Sequence, residues 1–161
     1  MTDFQQVGVA GAGAFGTALA LVAHKAGRRV TLWGRDSEQI AAMRAAGENA
    51  AYLPGIAVPS AVEITSEPAA LQAAEIILLV VPAQATRAAA GNLAPFVRPG
   101  VPVIACAKGI ERATGLLQTG ILAECIILPS IQNPNSTGSD PAGRTPRRMV
   151  RKVYSPSAAN R

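Results

Sequence analysis

Three glycines in Gly11-Ala12-Gly13-Ala14-Phe15-Gly16 are the first residues whose types and spacing could do chemistry. A turn without side chains at those positions lets backbone N–H groups close on an anion. If the turn also opens a helix, free N–H groups and the helix dipole add a positive potential suited to a pyrophosphate. Phe15, inside the loop, either covers a bound cofactor or packs. A second group, Trp33-Gly34-Arg35-Asp36, follows the next apolar run. At this position an acidic side chain would bind an adenosine ribose hydroxyl, whereas the planar fork of Arg35 matches a 2′-phosphate. Asp36 is already explained as the cap of the next helix, so NADP(H) is the preferred cofactor. NAD(H) is the alternative, with Asp36 serving both purposes. The third group is Ala107-Lys108-Gly109-Ile110-Glu111. An ammonium leaving a strand there can bind a phosphate or polarise a carbonyl receiving hydride; the competing reading is a solvated lysine.

Other reactive residue types are sparse. The single histidine, His24, falls near the end of a helix and has no partner for a catalytic triad or a two-histidine zinc pair. Cys106 and Cys125 are too few and too far apart for a metal cluster or disulfide framework, and are expected to be small buried hydrophobes. Glu111 is expected to be surface charge rather than a base. No catalytic residue and no metal site is assigned.

The elements that position these groups alternate. Phe4 to Ala10 is an apolar strand, Thr17 to Ala26 a helix closed by Gly27, and Arg29 to Trp33 a second strand. Together they have the length of one βαβ unit, about 30 residues, which implies parallel pairing. Asp36, with Gln39 at capping-box spacing, opens a helix to Ala46 that Gly47 ends. A loop carrying Pro54 and Pro59 leads to a weak strand over Val62–Thr65, then to a short helix capped by Ser66. Ile76 to Val81 is a buried central strand stopped by Pro82; Ala83 to Leu93 is helical; Arg98-Pro99-Gly100 turns into a buried strand over Val101–Cys106. Thr114 to Cys125 is the last helix, and Ile126-Ile127 could begin one more strand. The fold class is therefore α/β, a doubly wound parallel sheet of the Rossmann type.

Composition narrows the function further. The chain has 161 residues, nearly half of them apolar and few aromatic, which suits one domain of close-packed helices on a sheet. No stretch approaches the roughly 20 apolar residues of a membrane span, and the N-terminus lacks the basic and apolar segments of a secretory signal. A cytoplasmic location is expected. The formal charge of +5 belongs to the end of the chain: beyond Cys125 stand Arg144, Arg147, Arg148, Arg151, Lys152 and Arg161 against Asp140 alone. The domain is expected over 1–128, with a basic, disordered tail over 129–161. The near absence of aromatics in the tail argues against nucleic-acid binding.

Five motifs in order, Val7 through Ala20, Leu32-Trp33-Gly34-Arg35-Asp36, Asn49-Ala50-Ala51-Tyr52-Leu53-Pro54-Gly55, Val80-Val81-Pro82 and Ala107 to Glu111, closely resemble bacterial NAD(P)-dependent glycerol-3-phosphate dehydrogenase. The resemblance covers about residues 5–125, most of that family's cofactor domain. It implies reversible reduction of dihydroxyacetone phosphate, a small-molecule substrate, to sn-glycerol 3-phosphate for phospholipid synthesis. Gly11, Gly13, Ala14, Phe15 and Gly16 would bind the nicotinamide cofactor, Arg35 would meet its adenosine end, and Lys108 would touch both cofactor and substrate. The family continues into a Ser-Gly-Pro substrate loop and a helical domain with a catalytic lysine. No match to either follows, and Lys152 takes no such role. The expectation is a truncated product with an out-of-frame or artificial tail, inactive alone, whose association state stays open. The alternatives are a binding fragment without catalysis and a ketopantoate-type reductase, against which the Lys-Gly-Ile-Glu turn argues.

Overall fold

The computed structural model describes residues 3–127. Five strands form one parallel sheet: β1 (Gln6–Ala10), β2 (Arg29–Trp33), β5 (Val62–Thr65), β6 (Ile76–Leu79) and β7 (Val103–Ala105). Their order is β5-β2-β1-β6-β7. The chain winds outward from β1 through β2 to β5, returns to the other side of β1, and winds outward again, so the order reverses between β1 and β6. Open α/β sheets bind ligands beyond the carboxyl ends of the strands at such a reversal.

Side-chain alternation along the strands builds two cores. Val7, Val9, Val30 and Leu32 pack with Ala20 of α1 (Ala14–Lys25) and with Ile40 and Met43 of α2 (Ser37–Ala46). On the opposite face Ala10, Trp33, Ile77 and Leu79 pack with Leu71, with Ala90 and Leu93 of α3 (Thr86–Leu93), and with Leu122 of α4 (Gln118–Leu122). Helical layers on both faces make the sheet doubly wound, as the alternating sequence requires.

Several local expectations are corrected. The proline-punctuated loop contains a hairpin, β3 (Glu48–Asn49) with β4 (Leu53–Ala57), which packs Asn49 inward. Ser66 caps nothing: Pro68–Ala73 is a 3-10 segment whose preceding Glu67 N–H is held by Thr65 Oγ1, while the Ser66 carbonyl accepts from Trp33 Nε1. Asp36 does cap α2, accepting from Glu38 and Gln39 N–H, but the Gln39 side chain turns away to Ala12 instead of closing a capping box. The regular strand at the sheet edge shrinks to β7 (Val103–Ala105), and Ile104 within it is 44% exposed, not buried as its apolar run suggests. The last helix starts at Gln118, and Ala123–Ile127 continues as a π-helical turn, so Ile126 and Ile127 open no strand. Both cysteines are half-buried rather than buried. The expected tail lies outside the described residues.

Candidate functional site

The glycine loop is built by contacts that exclude side chains. Gly11 leaves β1 with φ +131°, and a Cβ there would stand 2.0 Å from the Val80 carbonyl oxygen. A Cβ on Gly16 would stand 1.7 Å from the Gly11 carbonyl oxygen, so helix and strand meet at a distance only hydrogen permits. Gly13 differs: a Cβ there would meet nothing within 4 Å. It is the N-cap of α1, has no side chain to cap it, and leaves the Ala14, Phe15 and Gly16 N–H groups without acceptors among the described residues. These free donors border a cleft of about 410 Å³ lined by Gly13 to Gly16, Pro82 and Lys108, among others. Phe15, 57% exposed, lies on that cleft rather than in a core.

Behind the loop, the buried Asn49 and Thr17 and the half-buried Gln39 hold its carbonyls. Asn49 Nδ2 donates to Ala12 O at 3.0 Å and to Thr17 Oγ1 at 2.7 Å; Gln39 Nε2 donates to the same Ala12 O at 2.7 Å. Thr17 Oγ1 donates in turn to Gly13 O at 2.9 Å. Sequence reasoning missed Gln39 and Asn49 in this role.

Lys108 stands on the other wall of the cleft, exposed and without an ion pair or hydrogen bond among the described residues. Its turn is fastened from below. Gln84 bridges the two strand-end turns, donating to Ile110 O at 2.9 Å and accepting from Arg112 N–H at 3.0 Å. Glu111 is 7% exposed and takes a bidentate contact from Arg87, at 2.9 Å from Nε to Oε1 and 2.9 Å from Nη2 to Oε2, plus the Thr114 hydroxyl at 2.5 Å. Arg87 reaches Glu124 as well, at 2.9 Å. The Arg87 guanidinium, and after it Thr114, hold the Glu111 carboxyl below the usual carboxylate range. Glu111 is therefore an anchor of the turn, not the surface charge expected. Gln118 Nε2 adds a bond to Gly109 O at 3.2 Å. Cys106 also lines the cleft, where burial raises its thiol pKa and favours the neutral form.

Arg35, just beyond β2, is exposed and likewise unpaired among the described residues; it lies outside the cleft that unites the glycine loop with Lys108. Asp36 beside it has one carboxylate oxygen engaged by two backbone N–H groups, at 3.0 and 3.1 Å. His24 sits in the last turn of α1, away from the cleft lining. No described helix is long and apolar enough to cross a membrane, and no cluster of metal-ligating side chains occurs among the described residues.

A parallel sheet wound on both faces, with a glycine-rich strand-to-helix turn at its point of reversal, defines a Rossmann-type domain. The model of the NAD-dependent glycerol-3-phosphate dehydrogenase N-terminus matches residues 6–132, and the chain belongs to that family. Among curated relatives, a glycerol-3-phosphate dehydrogenase [NAD(P)+] from Azorhizobium caulinodans is 52% identical over 122 residues, covering 76% of this chain and 37% of the relative. Another from Maricaulis maris is 41% identical over 148 residues, covering 91% and 44%. The crystal structure of glycerol-3-phosphate dehydrogenase from Coxiella burnetii superposes with a TM-score of 0.70 at 29% identity, covering 76% of this chain and 38% of that one. The chain thus spans less than half the length of the curated relatives it matches. This family membership sets aside the ketopantoate-type alternative.

Proposed function

We propose that this chain is the cofactor-holding part of a cytoplasmic glycerol-3-phosphate dehydrogenase, which interconverts dihydroxyacetone phosphate and sn-glycerol 3-phosphate for phospholipid synthesis. The observation that carries the reading is the single cleft in which uncapped N–H donors of α1 face the free ammonium of Lys108. Two phosphate-seeking groups of different kind, neither neutralised by a described protein partner, suit a dinucleotide on one side and a phosphorylated substrate on the other.

The residues present fit such a cofactor. The empty space over Gly13 admits a phosphate against the backbone, while Gly11 and Gly16 keep the loop closed beneath it. Gly13, Ala14, Phe15 and Gly16 would hold the pyrophosphate and shield it. When bound, a nicotinamide supplies or accepts the hydride. Lys108 supplies positive charge where the substrate phosphate or its carbonyl oxygen arrives, and Gln84 and Glu111 keep its turn in place. Arg35 is free for a 2′-phosphate while one oxygen of Asp36 is committed to the helix cap, which supports NADP(H) over NAD(H).

Among the described residues lining this cleft none is assigned as the general acid/base of the family resemblance, and cofactor binding without turnover is the property of this chain to be tested. Titration of NADPH and NADH, followed by energy transfer from the single tryptophan Trp33 to the reduced nicotinamide, tests the reading. Saturable binding of NADPH without its oxidation by dihydroxyacetone phosphate is expected. Absence of saturable binding overturns it.

A further inference from the structure

The side chains behind the glycine loop form a chain of donors with one direction. Asn49 is 0% exposed, and its two amide protons are both spent, one on Ala12 O at 3.0 Å and one on Thr17 Oγ1 at 2.7 Å. Thr17, also fully buried, spends its single proton on Gly13 O at 2.9 Å. Gln39 adds a second donor to Ala12 O. The remaining polar atom, Asn49 Oδ1, is buried without a partner. An unsatisfied buried carbonyl is destabilising and calls for an explanation. Turning the amide over would not relieve it, because Oδ1 would then face the lone pairs of Ala12 O. The side chain is held in place by what its amide protons do.

A trans peptide unit carries its C=O and N–H in opposite directions. Pulling Ala12 O toward Asn49 and Gln39 therefore turns the Gly13 N–H the other way, and Gly13 O, which accepts the Thr17 backbone N–H at 2.9 Å as well as the Thr17 hydroxyl, turns out the Ala14 N–H. Neither N–H has an acceptor among the described residues, and both residues border the cleft. Polarised at the carbonyl end, each unit is also a better donor at its N–H end.

We infer that Asn49, assisted by Gln39, is a positioning residue that sets the two loop peptide planes so that their N–H groups face the phosphates of the bound dinucleotide. The inference rests on the cofactor-binding reading above and adds a device to it: the hairpin carrying Asn49 on β3 and the helix carrying Gln39 determine how well the loop binds an anion. Asp at position 49 keeps the shape of the side chain but supplies no proton. It repels Ala12 O and draws the Thr17 hydroxyl away from Gly13 O.

The test uses the 161-residue chain with Asn49→Asp and Gln39→Ala, titrated with NADPH and with 2′-AMP, which lacks the pyrophosphate, by amide NMR. Gln39 is only half-buried, so its variant keeps the test available even where Asn49→Asp fails to fold. Each donor lost is expected to lower NADPH affinity about 3- to 10-fold, the worth of one neutral hydrogen bond, while 2′-AMP affinity stays within twofold. The Gly13 amide resonance should shift in both variants before ligand is added, and the Ala14 resonance in Asn49→Asp, whose side chain reaches the next peptide unit through Thr17. Unchanged NADPH affinity overturns the inference, as does an equal loss for both ligands, which marks general loosening of the fold. Wild-type protein that fails to bind NADPH overturns the cofactor reading itself, a distinct result.

Discussion

Replacing Gly13 and Gly16 by alanine, one at a time, separates the two duties of the loop, because the structure assigns the added methyl groups opposite surroundings. At Gly13 the methyl enters open space, and the backbone, at φ −80° and ψ −174°, is one that alanine adopts freely. Alanine caps a helix less well than glycine by about 0.5–1 kcal/mol, and it restricts the unfolded chain by about 0.4–1 kcal/mol. The two terms oppose, so the melting temperature should move by less than about 3 °C. The methyl nevertheless occupies the surface on which a phosphate would rest. Losing one charge-assisted N–H contact, worth about 1.5–3 kcal/mol, lowers NADPH affinity by about 10- to 150-fold. At Gly16 the methyl would overlap the Gly11 carbonyl at 1.7 Å, and the atom that must yield is backbone. Alanine's better helix propensity offsets at most about 1 kcal/mol. An overpacking cost of about 1–3 kcal/mol, at its upper end for a backbone neighbour, leaves a net loss of about 2 kcal/mol and a fall of roughly 6–12 °C. Thermal denaturation read at Trp33, with NADPH titration of the same samples, decides. A Gly13→Ala protein that binds NADPH like wild type, or melts as early as Gly16→Ala, refutes the reasoning.

Two further outcomes follow from the same geometry. Arg35→Ala should weaken NADPH by about 10- to 100-fold and leave NADH nearly unchanged, since only NADPH carries the 2′-phosphate; equal losses in parallel fluorescence titrations would remove Arg35 as the selector. Glu111 has a folded-state pKa below its unfolded one, so its stabilising contribution is complete above the unfolded value of about 4.3. That contribution declines as pH falls below that point and is lost once pH passes the lower folded value. Urea midpoints measured from pH 7 to pH 3 should therefore fall more steeply in wild type than in Glu111→Gln, and parallel curves would count against the anchor.

What could be read from the sequence was whatever depends on neighbours along the chain. The bounds of β2, the Asp36 cap and the stop at Gly47 all follow from local turn and capping chemistry, and all stand where that chemistry puts them. The reversal of strand order follows as well, since alternating strands and helices leave few ways to wind a sheet. What escaped depends on distance through space. Asn49 meets Ala12 across 37 residues, and nothing in the short Glu48-Asn49-Ala50-Ala51 stretch marks its amide as buried. Glu111 looks solvated until Arg87, 24 residues earlier, is brought beneath its turn by α3. The β3–β4 hairpin hid behind Pro54 and Gly55, residues that signal a turn whether or not strands flank it. The exposure of Ile104 escaped too, because an apolar run shows that a strand is suited to burial and not which layers are present to bury it.

The positions of the three basic or donor groups along the sheet edge carry an argument that none carries alone. Arg35 follows β2, the glycine loop follows β1, and Lys108 follows β7, so in the order β5-β2-β1-β6-β7 they come one after another with the β6 turn between the last two. With strands about 4.8 Å apart, β2 and β7 are separated by roughly 14 Å. On the cofactor reading proposed above, a dinucleotide laid across that edge would meet them in its own chemical order: the adenosine 2′-phosphate at Arg35, the pyrophosphate at the glycine loop, and the nicotinamide end at Lys108. Reversing the ligand would put the pyrophosphate on the same loop but a nicotinamide ribose at Arg35, with no phosphate for the guanidinium to hold. Polarity along the edge, and not the glycine motif by itself, is thus what supports placing the reacting end beside Lys108. On the same proposal, the anchors of Glu111 and Gln84 lie under that end, where a reacting carbon would have to be held to a fraction of an ångström, while Arg35 stands on an exposed loop.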